Sequence, residues 1–459
     1  MLSWPSPSSL WLAQLPKITP TNPVRRDLCL DVAIAGGGYS ALWSAYYLKK
    51  ADPTLRIGIF EAKYVGFGAS GRNGGWASAL FPSSLKKVEK IYGLSATVDL
   101  RRALIYSIDE ISKVTQSEAI QCDFVKGGTV TIATNQAQLD RINLEREQSM
   151  RYKVGPYDDT VLLNSSELAN RVNANGALGG LFSPHCARIQ PARLARGLFE
   201  VVRGLGVEVF EGSMVTAIKP GSMEVNGHIV TAKYVIDALE GYRSRLFGAK
   251  SETVPVYSLM IATKQLDDKL LGDIGFDRYE TLTDARNLII YAQRSADNRI
   301  VFGGRGAPYH FGSKISPNLD YNTLIFDRLQ KSMVELFPML SGVEIEFKWG
   351  GPLGVPRDLF SFVRFSCETG TASLGGYVGD GVTLSNLAAR TLADLILGRK
   401  SEFTSLCIVN HLAKPFEPEP ARFIGINGTI QLAAFVDKLE ERGLDSEIIL
   451  SLLDKVIEK

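Results

Sequence analysis

The fold is decided by Asp31-Val-Ala-Ile-Ala-Gly-Gly-Gly-Tyr-Ser-Ala41 and by the segment that closes it, Arg56-Ile-Gly-Ile-Phe-Glu61. Residues 31–35 are a short apolar β run. After the glycines, Leu42, Trp43, Tyr46 and Tyr47 recur at helical spacing, and Asp52-Pro53 stops the helix. Residues 56–60 form a second strand ending on an acid. In this strand–turn–helix–strand unit Gly36 permits the tight turn and Gly38 lets a pyrophosphate approach the backbone. Ala41 is the small residue where helix packs on strand. Tyr39 and Ser40 open the helix, whose N-terminal N–H groups and dipole favour phosphate. Glu61, followed by Ala62, is placed to accept from ribose hydroxyls, which argues against a 2′-phosphate. The unit binds the ADP half of a dinucleotide.

Two further glycine-rich segments narrow the choice. Gly66-Phe-Gly-Ala-Ser-Gly-Arg-Asn-Gly-Gly75 follows the acid directly, where a nicotinamide domain would proceed to another βα unit. Gly68, Ser70, Arg72, Asn73, Gly74 and Gly75 are its candidate ligand contacts, Ser70 and Arg72 as phosphate donors. Late in the chain, Gly375-Gly-Tyr-Val-Gly-Asp-Gly-Val-Thr383 runs into an alanine- and leucine-rich helix. Gly379, Asp380, Gly381, Val382 and Thr383 would bring backbone donors and a positive dipole to an electron-rich ring edge. The three segments together point to FAD. No second full fingerprint follows, since Gly303-Gly-Arg-Gly306 opens no helix.

On these motifs the chain resembles the FAD-dependent D-amino-acid-oxidase-like superfamily, in particular its γ-glutamylputrescine-oxidase and glycine-oxidase type bacterial members, and the GFGASGRNGG run is especially like the γ-glutamylputrescine oxidase branch. Supporting matches are residues 187–197 (ARIQPARLARG), 291–305 (YAQRSADNRIVFGGR) and Trp349-Gly-Gly. The likeness covers roughly residues 31–397 and extends into 416–420 and 425–427 of the C-terminal part. It implies a Rossmann-like α/β FAD domain joined to an α+β substrate domain on a mixed or antiparallel sheet. It also implies oxidation of a C–N bond by hydride transfer to flavin N5, with O2 as the usual acceptor, and backbone contact of Val215 with adenine. Three departures qualify it. No Cys or His stands where relatives tether flavin, so FAD is expected to bind noncovalently. The region 349–364 lacks the family's carboxylate-gripping arginine, Arg357 being out of register, so an amine or polyamine derivative is favoured over an α-amino acid. Asp380 replaces a frequent His, and its charge would oppose a reduced flavin unless it points away as a helix N-cap.

The remaining sequence sets the organisation. Residues 1–30 read as an arm pinned by Trp4, Leu10, Trp11 and Leu12. The FAD domain is expected from 31–84, 186–250 and 345–402, the substrate domain from 85–185 and 251–344, and a helical appendage from 403–459. Helices are expected near 85–116 and 135–154, strands at 128–133, 257–263, 287–293 and 299–304, and a hairpin at Asn226-Gly227. On the strand near 290, Tyr291 and Arg294 are candidate catalytic groups facing the flavin, or exposed sheet residues. His185, Gln190, Trp76 and Phe81 are secondary candidates.

A chain of 459 residues with net charge +2 gives no electrostatic case for nucleic acid. Five scattered cysteines suggest neither a disulfide framework nor a metal site, and no apolar run is long enough for a membrane span. The expectation is a cytoplasmic flavoenzyme with a small-molecule amine substrate. A 2-hydroxy acid oxidase or dehydrogenase of the same fold, and a non-catalytic subunit retaining it, remain open as alternatives.

Overall fold

The computed structural model describes residues 9–155, 160–246, 252–304, 306, 308–446, 448–450 and 453. Trp4 and Arg305, both named above, lie outside them. In chain order the elements used below are β1 (Leu28–Ala35), α1 (Tyr39–Ala51), β2 (Ile57–Phe60), α2 (Leu85–Ser117), β3 (Thr129–Ala133), α3 (Gln136–Arg151), β4 (Val161–Asn164), β5 (Gly179–Ser183) and α4 (Pro191–Gly204). There follow β6 (Glu208–Phe210), β7 (Val215–Lys219), β8 (Ser222–Val225), β9 (His228–Asp237), β10 (Thr253–Thr263), β11 (Thr281–Asp284), β12 (Ile290–Arg294) and β13 (Ile300–Gly304). The last are β14 (Ile345–Pro356), β15 (Phe362–Ser366), β16 (Thr371–Gly375), α5 (Gly381–Ile396) and α6 (Ala421–Glu441).

The first sheet runs β15-β16-β9-β1-β2-β6, with β8 and β7 branching from β9. Its centre is parallel, and Ala35 stands level with both Phe60 and Asp237. The carboxyl ends of β1, β2 and β9 therefore open on one crevice, the place where open α/β sheets bind ligands. Val32 and Ile34 of β1 pack with Leu42 and Trp43 of α1 and Leu387 and Leu392 of α5, all fully buried. The hairpin between β8 and β9 turns at Asn226 and Gly227, both at positive φ, as a two-residue primed turn requires.

The second sheet runs β14-β10-β13-β12-β11-β3-β5-β4. It is mixed, because β11 pairs parallel to β3 while its other pairs are antiparallel. This is the architecture expected: α/β joined to α+β.

Two expected boundaries need correction. Residues 345–356 were assigned with the first sheet, but β14 pairs with β10 along its length, from Thr253–Pro356 to Thr263–Ile345. Its Pro352 and Pro356 suit it to the sheet's edge, where a missing N–H costs no ladder bond. Helix α2 was placed with the substrate domain, yet Leu100, Leu104, Ile108 and Ile111 pack in the same core as α5. An amphipathic stripe shows that a helix buries one face, not which sheet it covers.

The arm is anchored as expected. Leu10 and Trp11 are buried, Trp11 Nε1 donates to the carbonyl of Asn73 at 2.8 Å, and its ring meets Trp349 edge-on at 6.4 Å. Gln190 caps α4 and donates to the carbonyl of Trp11 at 2.8 Å, so its amide holds the arm rather than reaching a substrate.

Candidate active site

A cavity of about 450 Å³ lies at the carboxyl ends of the parallel strands. Its lining joins the three glycine segments: Gly36 to Ser40, Gly68 to Ser70 with Asn73, and Tyr377 to Gly379 with Gly381 and Val382. Glu61 and Ala62 line it with Val215, between Met214 and Thr216. Residues distant in sequence thus line one pocket.

The turn is built for close approach. Gly36 has φ +100°, and a Cβ there would sit 2.8 Å from the carbonyl oxygen of Ala238. A Cβ on Gly38 would fall 2.9 Å from Ser70 Oγ, which itself accepts from the Tyr39 N–H at 2.9 Å. Gly38 occupies the N-cap of α1 without a side-chain cap, which leaves N–H groups of the first turn for an anion. Ser40 Oγ meets the hydroxyl of Tyr377 at 2.7 Å, tying the first glycine segment to the third.

Glu61 accepts from the Gly37 N–H through Oε2 at 2.7 Å and from the Lys63 N–H through Oε1 at 2.8 Å. Burial pushes its carboxyl up to about 7 against these two donors, and Glu211 adds to the rise. Each carboxylate oxygen keeps a further lone pair for a ribose hydroxyl.

Several expected contacts are placed elsewhere. Arg72 lines the adjoining cavity rather than this one. Its guanidinium, 1% exposed, pairs with Asp320 at 2.7 Å and donates to the Gly350 carbonyl and Tyr242 hydroxyl, both at 2.9 Å. These contacts lock the Gly66–Gly75 loop to β14. Gly74 lies on the adjoining cavity, and Gly75 on neither, held at φ +73° against Gln293 and the Ile189 carbonyl. Ala41 is fully buried in helix packing, off the lining, as a packing residue should be. Thr383 is fully buried within α5, off the lining, its hydroxyl without a hydrogen-bond partner among the described residues. Asp380 takes the N-cap position of α5 but makes no side-chain cap there. It lines the adjoining cavity instead.

One carboxylate of this site had no clear signal in the sequence. Glu240 lines the cavity, with φ +51°, and its Oε1 accepts the N–H groups of Gly376 and Tyr377, both at 3.0 Å. Burial pushes its carboxyl up to about 7, opposed by those donors and by the N–H groups of Gly354 and Gly241. A Glu-Gly pair closing an apolar strand is the only trace of it in the chain.

The adjoining cavity, about 510 Å³, shares Ala69, Asn73, Leu353, Val378 and Gly379 with the first. Trp76, Phe81, Met260 and Tyr291 give it an aromatic and apolar wall, joined by His185 and Asp380. Tyr291 bonds Ser258 Oγ at 2.8 Å and meets Trp76 edge-on at 6.2 Å. Arg294 is not with it. Three residues apart on one strand, the two side chains leave opposite faces. Arg294 bonds Asn298 Oδ1 at 2.9 Å, pairs with Asp277 at 3.7 Å and lies over the ring of Tyr279. Arg357 pairs with Glu417 and reaches neither cavity.

The chain is similar to known proteins over most of its length. Residues 31–395 match the family model described as FAD dependent oxidoreductase, DAO. The chain belongs to the DAO family of FAD-dependent oxidoreductases. It is 30% identical over 418 residues to γ-glutamylputrescine oxidoreductase of Escherichia coli K12, spanning 89% of this chain and 93% of that protein. It is 21% identical over 392 residues to sarcosine oxidase subunit beta of Rhodobacter capsulatus, spanning 80% and 86%. In fold it is similar to glycine oxidase from Geobacillus kaustophilus, with TM-score 0.70 at 18% identity, covering 84% of this chain and all of that one. The cradle fits the family's cofactor: close-approach glycines, an uncapped helix start and a carboxylate at the end of the second strand line one cavity.

Proposed function

We propose that this DAO family member oxidises a C–N bond of an amine whose other end carries a polar or ionic group. The observation that carries the reading is the second cavity. It opens on the FAD cavity beside Asp380 and Tyr291, while the wall formed by α2 and α3 bears Arg101 and Arg141. Arg286, paired with Asp284, adds another guanidinium from beyond β11. The γ-glutamylputrescine oxidoreductase relative is named for a substrate of this kind, an amine at one end and an amino-acid group at the other.

When bound, FAD supplies the acceptor of the hydride leaving the carbon next to nitrogen. The chain's own residues prepare that transfer. Asp380 offers a carboxylate to an incoming ammonium at the boundary of the two cavities. An alkylammonium holds its proton up to a pKa near 10.4, so the amine must reach the reacting geometry as free base. Trp76, Met260 and Leu353 exclude water there, which favours the neutral form. The hydroxyl pair of Tyr291 and Ser258 gives the same wall a hydrogen-bonding point.

Noncovalent attachment is supported by the FAD cavity's lining, which among the described residues holds neither cysteine nor histidine. Acid precipitation should therefore release all the flavin. O2 is the acceptor we favour, and steady-state peroxide formation tests it. No described helix is long and apolar enough to cross a membrane. The five cysteines carry no disulfide among the described residues. Both features suit a cytoplasmic enzyme.

The deciding experiment is anaerobic mixing of the holoenzyme with a panel of amines and 2-hydroxy acids. Bleaching of the flavin absorbance by amines is expected. Bleaching by hydroxy acids alone would overturn the reading, and reduction by no donor would favour a non-catalytic subunit.

A further inference from the structure

The family match stops at residue 395, and α6 lies beyond it. Its inward face buries two carboxylates, Asp437 and Glu440, beside Ala433 and Val436. Asp437 accepts the N–H groups of Asn287 at 2.8 Å and Leu288 at 3.0 Å, fixing the loop that enters β12. Glu440, 4% exposed, takes Arg141 in a two-toothed grip, at 2.9 Å to Nη1 and 2.6 Å to Nη2. Ser446 Oγ donates to the same carboxylate at 3.2 Å. Arg141 Nε donates to the Ala285 carbonyl at 2.7 Å. Arg141, Ala285 and Arg286 are all wall residues of the second cavity.

A carboxylate this buried is costly to maintain, and an apolar contact would fasten the helix as well. What the ion pair adds is orientation. A guanidinium has five N–H donors in a rigid plane, and Glu440 and Ala285 engage three, fixing that plane in the cavity wall. Each terminal nitrogen keeps one further N–H, on a side chain that lines the second cavity. The geometry points to Glu440 as a positioning residue for substrate selection: it orients Arg141 toward the polar tail of the amine, which makes α6 part of the substrate site. This rests on the proposed reading of the second cavity.

The test compares holoenzyme variants Glu440→Gln and Arg141→Lys with Asn427→Ala. The last loosens the same helix at its other anchor, where Asn427 exchanges hydrogen bonds with the Tyr309 backbone at 3.1 Å. Two readouts are taken: perturbation of the oxidised flavin spectrum by glutarate, and anaerobic reduction by 6-aminohexanoate and by hexylamine. Glu440→Gln and Arg141→Lys should weaken glutarate and raise the half-saturating 6-aminohexanoate by about tenfold or more, a loss of about 1.4 kcal/mol. Hexylamine should be unaffected, and Asn427→Ala should leave all three as in wild type. Equal effects on both amines, equal effects of Asn427→Ala, no effect, or glutarate that fails to perturb the wild type would each overturn the proposal. If neither amine reduces the wild type while glutarate still distinguishes the variants, the amine reading fails and only the positioning of Arg141 by Glu440 against a ligand carboxylate stands. If both amines reduce wild type and variants alike, this one fails alone.

Discussion

Glu61 Oε2 accepts the Gly37 N–H at 2.7 Å, so the acid that ends the second strand also holds the turn that ends the first. A Cβ on Gly37 would lie 2.9 Å from the Glu61 Cβ, which shows how closely the two segments meet. Glu61→Ala removes the proposed ribose acceptor and takes the acceptor from two part-buried N–H groups, at about 1 kcal/mol each. FAD affinity should fall by at least about tenfold. The melting temperature of the apoprotein should fall with it. Fluorescence titration of apoprotein with FAD measures the first, and unchanged affinity would contradict the role given to Glu61.

Arg72 and Asp320 make the second pairing with a definite consequence. Arg72 is 1% exposed and Asp320 17% in their side chains, so removing the acid strands a buried cation. Asp320→Ala should cost about 3 kcal/mol or more. Denaturant unfolding measures this. Arg72→Lys should recover little, because an ammonium cannot serve Asp320, the Gly350 carbonyl and the Tyr242 hydroxyl from one plane.

Glu240 gives a pH signature in the apoprotein. Its carboxyl is pushed up by burial to about 7, from an ordinary value of 4.5. Between those values the folded chain holds a proton that the unfolded chain has released. The side chain's contribution is therefore full below about pH 4.5 and declines as pH rises to about 7. Glu240→Gln has no such group, so wild-type stability relative to this variant should fall across that window and level off above it. Melting curves of both proteins over the range test the sign, and a difference that rises with pH would refute it.

How much of this was legible in the sequence depended on distance along the chain. The strand–turn–helix–strand unit and its acid are local, and each glycine answers to one steric need. The primed turn at Asn226-Gly227 is local too. Strand β14 escaped because its glycines and prolines resemble a loop, and only its edge place in a sheet makes them tolerable. The pairing of Arg72 with Asp320 left no signal in the loop because the two lie 248 residues apart. For the same reason Arg141 carried no signal for Glu440. Charge pairing across such separations is settled by tertiary packing, which no window of sequence contains.

Tyr291 and Arg294 test the reading of the second cavity most directly, because they share a strand and differ in face. The Tyr291 ring is fixed on both sides: a Cβ on Gly74 would come within 3.0 Å of it and one on Gly303 within 2.4 Å. Tyr291→Phe keeps that ring and removes only the hydroxyl bonded to Ser258. Anaerobic flavin reduction should slow by less than about tenfold, since a neutral hydrogen bond is worth about 1 kcal/mol. Gly303→Ala should do more damage, because its methyl displaces the ring itself. Arg294→Ala removes contacts with Asn298, Asp277 and Tyr279 on the other face, and should lower thermal stability while leaving the reduction rate as it was. Stopped-flow reduction of the three variants decides the matter. A large loss in Arg294→Ala with no loss in Gly303→Ala would mean that the substrate lies on the opposite face of β12.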